Sequence, residues 1–283
     1  CMKKYWNLLI TTVLLISATS VFADNNHYMI IVDAGSSGSR LHIFQYDTDG
    51  SMPVVTESVA AFTNKSGLAG YAKNPDQAGA SLQSLLDGAK QFLAGKVDIQ
   101  TVPVRVYGTA GMRLLGPGQE QPIYDSVDSY IHQDGFTDVK AETIPGKMEG
   151  FYGWADVNYL AGNFQNRKPT LGSIDMGGAS TQIAYVVPEK NKKFDDDIIT
   201  VNINNQSYAV FSKSFLGLGQ DQSRITMMKD PAAASCFPTH YQFDSLHAGA
   251  FDFSTCTGIF KNIIANNHVS EEILPVKNQI FYA

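Results

Sequence analysis

The sequence predicts an α/β protein built in two halves, and three observations carry that prediction. The first is a repeated device: Asp33-Ala34-Gly35-Ser36-Ser37-Gly38-Ser39-Arg40-Leu41 in one half matches Asp175-Met176-Gly177-Gly178-Ala179-Ser180-Thr181-Gln182-Ile183 in the other. Each copy follows a β-prone stretch, Tyr28 to Val32 or Leu171 to Ile174, and leads into another, Leu41 to Tyr46 or Ile183 to Val187, so each reads as strand, tight turn, strand. The second is helical periodicity between and around the copies, in Pro75 to Leu93 and in Gly146 to Leu160. The third is composition. With 283 residues, 44% apolar and 17% charged, the chain can bury one large core or two modest ones, and a disordered or collagen-like class is excluded.

Taken in order, the chain opens with Lys3 and Lys4, a short apolar run from Trp6 to Ile16, and small residues up to Ala23. That pattern is a secretory signal peptide of bacterial type; a spanning helix needs about 20 apolar residues. An uncleaved anchor is the alternative, and no stable membrane anchor is expected once the leader is removed. Val102 to Tyr107 is the next predicted strand, ending in the small-residue junction Gly108-Thr109-Ala110-Gly111-Met112-Arg113. In Pro75 to Leu93, the side chains Leu82, Leu85, Leu86 and Phe92 form an inner face. In Gly146 to Leu160 the apolar residues Phe151, Trp154, Val157 and Leu160 recur at helical spacing. The polar break Asn163 to Pro169 is the best boundary between halves, which gives a leader 1–23, a first lobe 24–165 and a second lobe 166–283. Glu189 to Lys193 and Asp195-Asp196-Asp197 read as a solvated loop without calcium-loop spacing. Asn64-Lys65-Ser66 and Asn205-Gln206-Ser207 match glycosylation sequons of a kind common by chance.

Charge and cysteine usage narrow the function. Lys plus Arg is 21 against 27 Asp plus Glu, a net charge of −6 with no interleaving of basic and aromatic residues, which argues against nucleic acid as a partner. Beyond the leader only Cys236 and Cys256 remain, and export permits a disulfide between them, worth roughly 3 kcal/mol for a loop of about 20 residues in the chain-entropy model. Two buried thiols are the alternative. No Cys/His spacing resembles a zinc site.

The paired turns have a chemical reason. Small residues let the main chain approach a ligand closely, and successive N–H groups form a nest for phosphate oxygens, with the hydroxyls of Ser37, Ser39, Ser180 and Thr181 as further donors. An Asp at each strand end then faces a divalent cation, directly or through water. One copy alone is better read as an ordinary hairpin turn; two copies point to one polyphosphate and one metal held between two lobes. Glu149 sits near the start of a helix, where the macrodipole alone favours a carboxylate by about 0.3–1 kcal/mol.

Asp33 to Arg40, Tyr107 to Leu115, Gly146 to Leu160 and Ile174 to Ile183 resemble, in order, the first four apyrase conserved regions of the nucleoside triphosphate diphosphohydrolases. Ser214 to Gly219 with Arg224, and Cys236-Phe237-Pro238, are similar to later family segments, so the likeness covers roughly residues 28–260. Gly38 stands where the membrane-tethered ecto-enzymes usually carry His, as in the soluble and secreted branch.

The resemblance implies an actin/hexokinase-like fold with two ribonuclease-H-like lobes, a secreted or periplasmic location, and a nucleotide substrate (ATP, ADP or another tri- or diphosphate) held in the cleft with Ca²⁺ or Mg²⁺. It implies phosphate contacts from Asp33, Gly35, Ser36, Ser37, Gly38, Ser39 and Arg40 and from Gly177, Gly178, Ala179 and Ser180. Asp33 and Asp175 would hold the cation through water, with Thr109 in that water shell, and Glu149 would be the general base while Ser180 and Gln182 orient the attacking water. Family members continue to a fifth conserved region that is not found before Ala283, so the second lobe is expected to be incomplete. Two alternatives stay open at this point: an exopolyphosphatase or guanosine-pentaphosphate phosphatase, and a catalytically silent nucleotide-binding or interaction protein.

Overall fold

The computed structural model describes residues 27–48, 50, 52–65, 67–188, 192–244, 247–275 and 279–283. The expected leader, Ser66 of the first sequon and residues 189–191 lie outside these.

The first half opens with an antiparallel meander of β1 (His27–Ala34), β2 (Ser39–Asp47) and β3 (Val54–Asn64). After α1 (Gln83–Leu93), β4 (Val104–Gly108) joins β1 in parallel; α2 (Ala110–Arg113) and α3 (Glu120–Gln133) then lead to β5 (Val139–Thr143), parallel to β4. The sheet order is β3-β2-β1-β4-β5. Alternation along β1 buries Ile30, Val32 and Ala34 with Leu41, Ile43, Val104 and Val106 against Leu85, Leu86 and Ala89 of α1 and Ile123, Val127 and Ile131 of α3.

The chain then runs through α4 (Gly146–Leu160) and the short α5 (Asn163–Asn166) into a second sheet. That sheet contains β6 (Gly172–Met176), β7 (Ser180–Val186), β8 (Ile198–Ile203) and β9 (Gln206–Leu216). After α6 (Gln220–Met227), α7 (Phe253–Asn266) and α8 (Val269–Glu272), β10 (Phe281–Tyr282) pairs in parallel with β6, giving the order β10-β6-β7-β9-β8. Helix α4 covers one face of this sheet; on the other, Phe215, Leu218, Met227, Ile259 and Ile263 form a core with α6 and α7. Cys236 and Cys256 are joined in a disulfide that ties a turn to α7. Among the described residues no helix is long and apolar enough to cross a membrane.

Two expected helices differ in detail. Pro75 to Leu93 is regular only from Gln83, preceded by 3₁₀ turns at Pro75–Gln77 and Ala80–Leu82. Between the two turns Gly79 N donates to Ser126 Oγ of α3 at 3.1 Å, and α3 comes so close that a Cβ on Gly79 would lie 2.4 Å from the Ser126 carbonyl and 2.5 Å from Tyr130 Cβ. In α4 the buried face is not Phe151, Trp154, Val157 and Leu160, because Leu160 is 75% exposed. It is Gly150, Phe151, Trp154 and the polar Asn158. Asn158 is fully buried yet satisfied: its Oδ1 accepts from Leu171 N and Asn163 Nδ2, both at 2.8 Å, and its Nδ2 donates to Trp154 O and Leu171 O. Because α4 packs on β6, β7 and β9, the chain changes sheets ahead of the polar break at Asn163 to Pro169.

Glycine lets α4 lie close to the second sheet. A Cβ at Gly146 would meet Ser214 Cβ at 2.5 Å, and one at Gly150 would meet Ser212 Oγ at 2.6 Å and Gln182 Cβ at 3.2 Å. Gly146→Ala is therefore expected to destabilise the fold by about 1–3 kcal/mol through overpacking, the reverse of helix propensity. Urea denaturation of Gly146→Ala, Ser214→Gly and the double variant checks this; the double variant should recover most of the loss, and simple additivity of the two losses would contradict it.

Candidate active site

Strand register brings the site residues to one end of both sheets. In the first, Ala34, Gly108 and Thr143 lie side by side at the carboxyl ends of β1, β4 and β5, and Thr109 N donates to Ala34 O at 3.3 Å. A crevice outside the carboxyl ends of parallel strands is where open α/β sheets bind ligands. Across the hairpins, Asp33 pairs with Arg40 and Asp175 with Gln182. The two turns meet. A Cβ on Gly178 would lie 2.5 Å from Ser36 Oγ and 2.8 Å from Asp221 Oδ2, so the second turn touches the first with a carboxylate of α6 beside it.

The first turn is only partly open to a ligand. Gly35, Ser36 and Ser37 remain accessible, whereas Gly38 and Ser39 are buried against the end of β3. A Cβ on Gly38 would lie 2.5 Å from Asn64 O, and Ser39 N donates to Asn64 Oδ1 at 3.2 Å. Arg40 pairs with Asp33 at 3.4 Å, both side chains about half exposed. The second turn rests on α6: Gly177 O accepts from Gln220 N, and Gly178 O accepts from Asp221 N and Gln222 N. Ala179 is buried, and its carbonyl accepts from Gly217 N. The first N–H groups of α6 are thus used in holding the turn.

Glu149, Ser180 and Gln182 do come together. Gln182 Nε2 lies 3.0 Å from Glu149 Oε2, 2.6 Å from Ser180 Oγ and 3.0 Å from Ser214 Oγ. Arg113 and Ser214 stood in motifs of the sequence without a role, yet both belong to this cluster. Arg113 Nη2 donates to Glu149 Oε2 at 2.7 Å and to Ser180 Oγ at 3.2 Å, while Nη1 donates to Ile144 O at 3.0 Å. Glu149 Oε1 has no hydrogen-bond partner among the described residues. Burial pushes the Glu149 carboxyl above the usual carboxylate range; Arg113 opposes the rise, and the charges of Asp175 and Asp33 add to it. Asp33 is likewise raised, first by desolvation, with Arg40 and His42 lowering it and Asp175 raising it again.

Asp33 and Asp175 stand at matching positions near the ends of β1 and β6, one hard oxygen donor group from each sheet. Among the described residues no group of three or more His, Cys, Asp or Glu could grip an ion directly. Two carboxylates in this arrangement fit a hydrated Ca²⁺ or Mg²⁺ held largely through water. An apolar cavity of about 590 Å³, lined by Ile183, Phe215, Met227 and Phe260 among others, lies on the face of the second sheet away from α4 and includes none of these acidic groups.

A family model described as the GDA1/CD39 (nucleoside phosphatase) family matches residues 20–244. A protein of Oryza sativa subsp. japonica named probable apyrase 2 is 33% identical over 219 residues, 73% of this chain and 47% of that protein. The crystal structure of nucleoside triphosphate hydrolases from Neospora caninum superposes with a TM-score of 0.53 at 19% identity, over 72% of this chain and 46% of that one. The PPX-GPPA enzyme of Aquifex aeolicus gives 0.50 at 16% identity, over 90% and 67%. The two structural likenesses establish the expected α/β, actin-like fold. The chain spans about half the length of the curated relatives it matches.

The turn 177–180 has a steric signature. A Cβ on Gly219 would lie 2.4 Å from both Ala179 N and Ser180 N. Gly219→Ala is expected to force the turn off α6 and cost about 1–3 kcal/mol, read by chemical denaturation; unchanged stability would contradict this packing.

Proposed function

This chain belongs to the GDA1/CD39 (nucleoside phosphatase) family, and from that membership we propose that it carries the phosphate-handling cleft of a divalent-metal-dependent hydrolase of nucleoside tri- and diphosphates. The observation that carries the reading is the cluster of Glu149, Ser180 and Gln182, with one carboxylate oxygen saturated by donors and the other without a partner among the described residues.

The chemistry follows from that inventory. Glu149 Oε1 accepts a proton from water as the water oxygen bonds to the terminal phosphorus. The phosphoanhydride bond breaks, and its bridging oxygen leaves with the shortened nucleotide. No phosphoenzyme forms. Ser180 Oγ accepts from Arg113 and Gln182, which leaves its own O–H to donate to the water or to a phosphate oxygen. The turns at Gly35 to Ser37 and Gly177 to Ala179 would hold phosphate oxygens, and Arg40, exchanging Asp33 for substrate, would add charge at the developing transition state. Asp33, Asp175 and Thr109 would hold a hydrated Ca²⁺ or Mg²⁺, which when bound would supply positive charge to offset the polyphosphate. The disulfide and the secretory pattern of the leader support an extracytoplasmic location.

Glu149→Gln is expected to lower phosphate release at least about a hundredfold while nucleotide binding persists. Near-normal release would remove Glu149 from the role. The sign of the pH dependence is fixed by the base having to be ionised: activity falls as pH drops through the Glu149 ionisation, at a higher pH than the ~4.3 of a solvated Glu. Initial rates across pH check this, and an acid limb at or below that value would contradict it. Chelation of divalent cations should abolish release, with recovery on adding Ca²⁺ or Mg²⁺. Release from ADP rather than from long polyphosphate separates this reading from an exopolyphosphatase, and binding without any release would select a silent module.

A further inference from the structure

Arg113 sits at the boundary between the two halves. It ends α2, in the segment that follows β4 of the first sheet, while its partner Glu149 lies on α4, packed against the second. The guanidinium is 15% exposed and the carboxylate 18%, and their 2.7 Å contact joins structures that otherwise belong to separate cores. One Arg113 nitrogen is anchored on Ile144 O, and its Cζ would be 3.6 Å from a Cβ on Gly146, so the guanidinium is held at the very start of α4. From this fixed seat its other terminal nitrogen reaches Glu149 Oε2 and Ser180 Oγ.

We propose that Arg113 is a positioning residue for the reaction: it selects Oε1 of Glu149 as the oxygen that takes the proton from water and keeps that carboxyl group ionised within a desolvated site. The proposal rests on Glu149 being the base. The selection is geometric. Oε2 is occupied by donors from Arg113 and from Gln182, so a proton arriving from water finds its lone pairs engaged, whereas Oε1 is open. The ionisation follows from the groups that face Glu149. Gln182 and Ser180, from β7, are neutral; Asp175, from β6, and Asp33, from β1, are acidic and favour the protonated form, as does burial. Arg113 is the cation that opposes them. A protonated carboxyl takes no proton from water, so Arg113, by opposing protonation, favours the competent form of the site.

The competing role for Arg113 is a direct grip on the terminal phosphate, and the two roles leave different traces. Arg113→Met and Arg113→Lys are compared with the unsubstituted full chain. The carboxyl ¹³C resonances of labelled Glu are followed across pH, with that of Glu149 assigned by its absence in Glu149→Gln. The pH dependence of phosphate release and the calorimetric affinity for a non-hydrolysable Mg²⁺–nucleotide analogue are measured alongside. In Arg113→Met, Glu149 should titrate at least about one pH unit higher, since removing an opposite charge at this distance typically shifts a carboxyl by 1–3 units. The acid limb of phosphate release should move with it, and analogue affinity should stay within about twofold, because the lost interaction is not a substrate contact. Arg113→Lys should restore most of the titration but not the full turnover, since an ammonium supplies charge without the guanidinium fork; it also keeps the test decisive if the Met variant folds poorly. An unmoved Glu149 titration overturns the proposal, and if analogue affinity also falls tenfold or so, Arg113 is a phosphate ligand. Near-normal turnover in Glu149→Gln would instead sink the base assignment while leaving any titration shift intact, so the two failures are told apart.

Discussion

The site depends on how closely one helix can lie on one sheet. Gly146, Gly150, Trp154 and Asn158 follow one another at four-residue spacing along α4, and the first two bring the helix backbone against Ser214, Ser212 and Gln182. Ser212 Oγ then donates to Lys147 O at 2.6 Å, locking the helix to β9. Side chains at Gly146 or Gly150 would lift this end of α4 from the sheet. Glu149, which must reach Gln182 Nε2 at 3.0 Å, would then lose contact with β7. Farther along, Trp154 packs edge-on against Phe164 and Tyr208, so large aromatic volume fixes the far end of the helix while small residues set the near end.

That close approach has an electrostatic consequence. A carboxylate taken from water is unfavourable unless it is paired and hydrogen-bonded, and Glu149 is placed where α4, β7 and α2 converge to exclude solvent. Arg113 and Gln182 compensate through one oxygen. Burial is the main source of the raised proton affinity, and the other oxygen, without a partner among the described residues, does nothing to offset it. Stability and reactivity thus pull in opposite directions on the two oxygens of a single side chain. A further donor on Oε1 would make the fold more comfortable and the base weaker.

Much of this architecture is legible along the chain because its signals are local. Apolar, β-prone stretches marked β1, β2, β6 and β7, and the recurrence of Asp, any residue, Gly marked the ends of β1 and β6 as equivalent. What escaped depends on contacts distant in sequence. Arg113 and Ser214 were visible as residues of motifs, but nothing near them states that both point at Glu149 and its partners. Asn158 reads as a polar interruption of an apolar face; only Leu171 and Asn163, brought in from beyond the helix, make its burial favourable. Within Pro75 to Leu93, too, the partner of Gly79 N is distant in sequence, the hydroxyl of Ser126. Gly38 and Ser39, which match their counterparts in pattern, turn inward because Asn64 at the end of β3 captures them.

The two equivalent turns are therefore not equivalent in how they are held. The first is gripped by its own sheet and loops: Asn64 takes Ser39, and Ser36 fits beneath Gly67 and Gly111, where a Cβ would approach its carbonyl oxygen to 2.7 Å and its Cα to 2.8 Å respectively. The second is carried on the first turn of a helix, through the carbonyls of Gly177 and Gly178. A hairpin alone gives the shared pattern of Asp and small residues, but it does not fix the tip; each half has recruited a different neighbour to do so. Where the tips meet, Ser36 faces Gly178, and the missing side chain at that glycine lets the halves close without a clash. Repetition in sequence thus gives two similar strands with their acids, and it is the unrepeated parts, Asn64 on one side and α6 on the other, that hold the two tips.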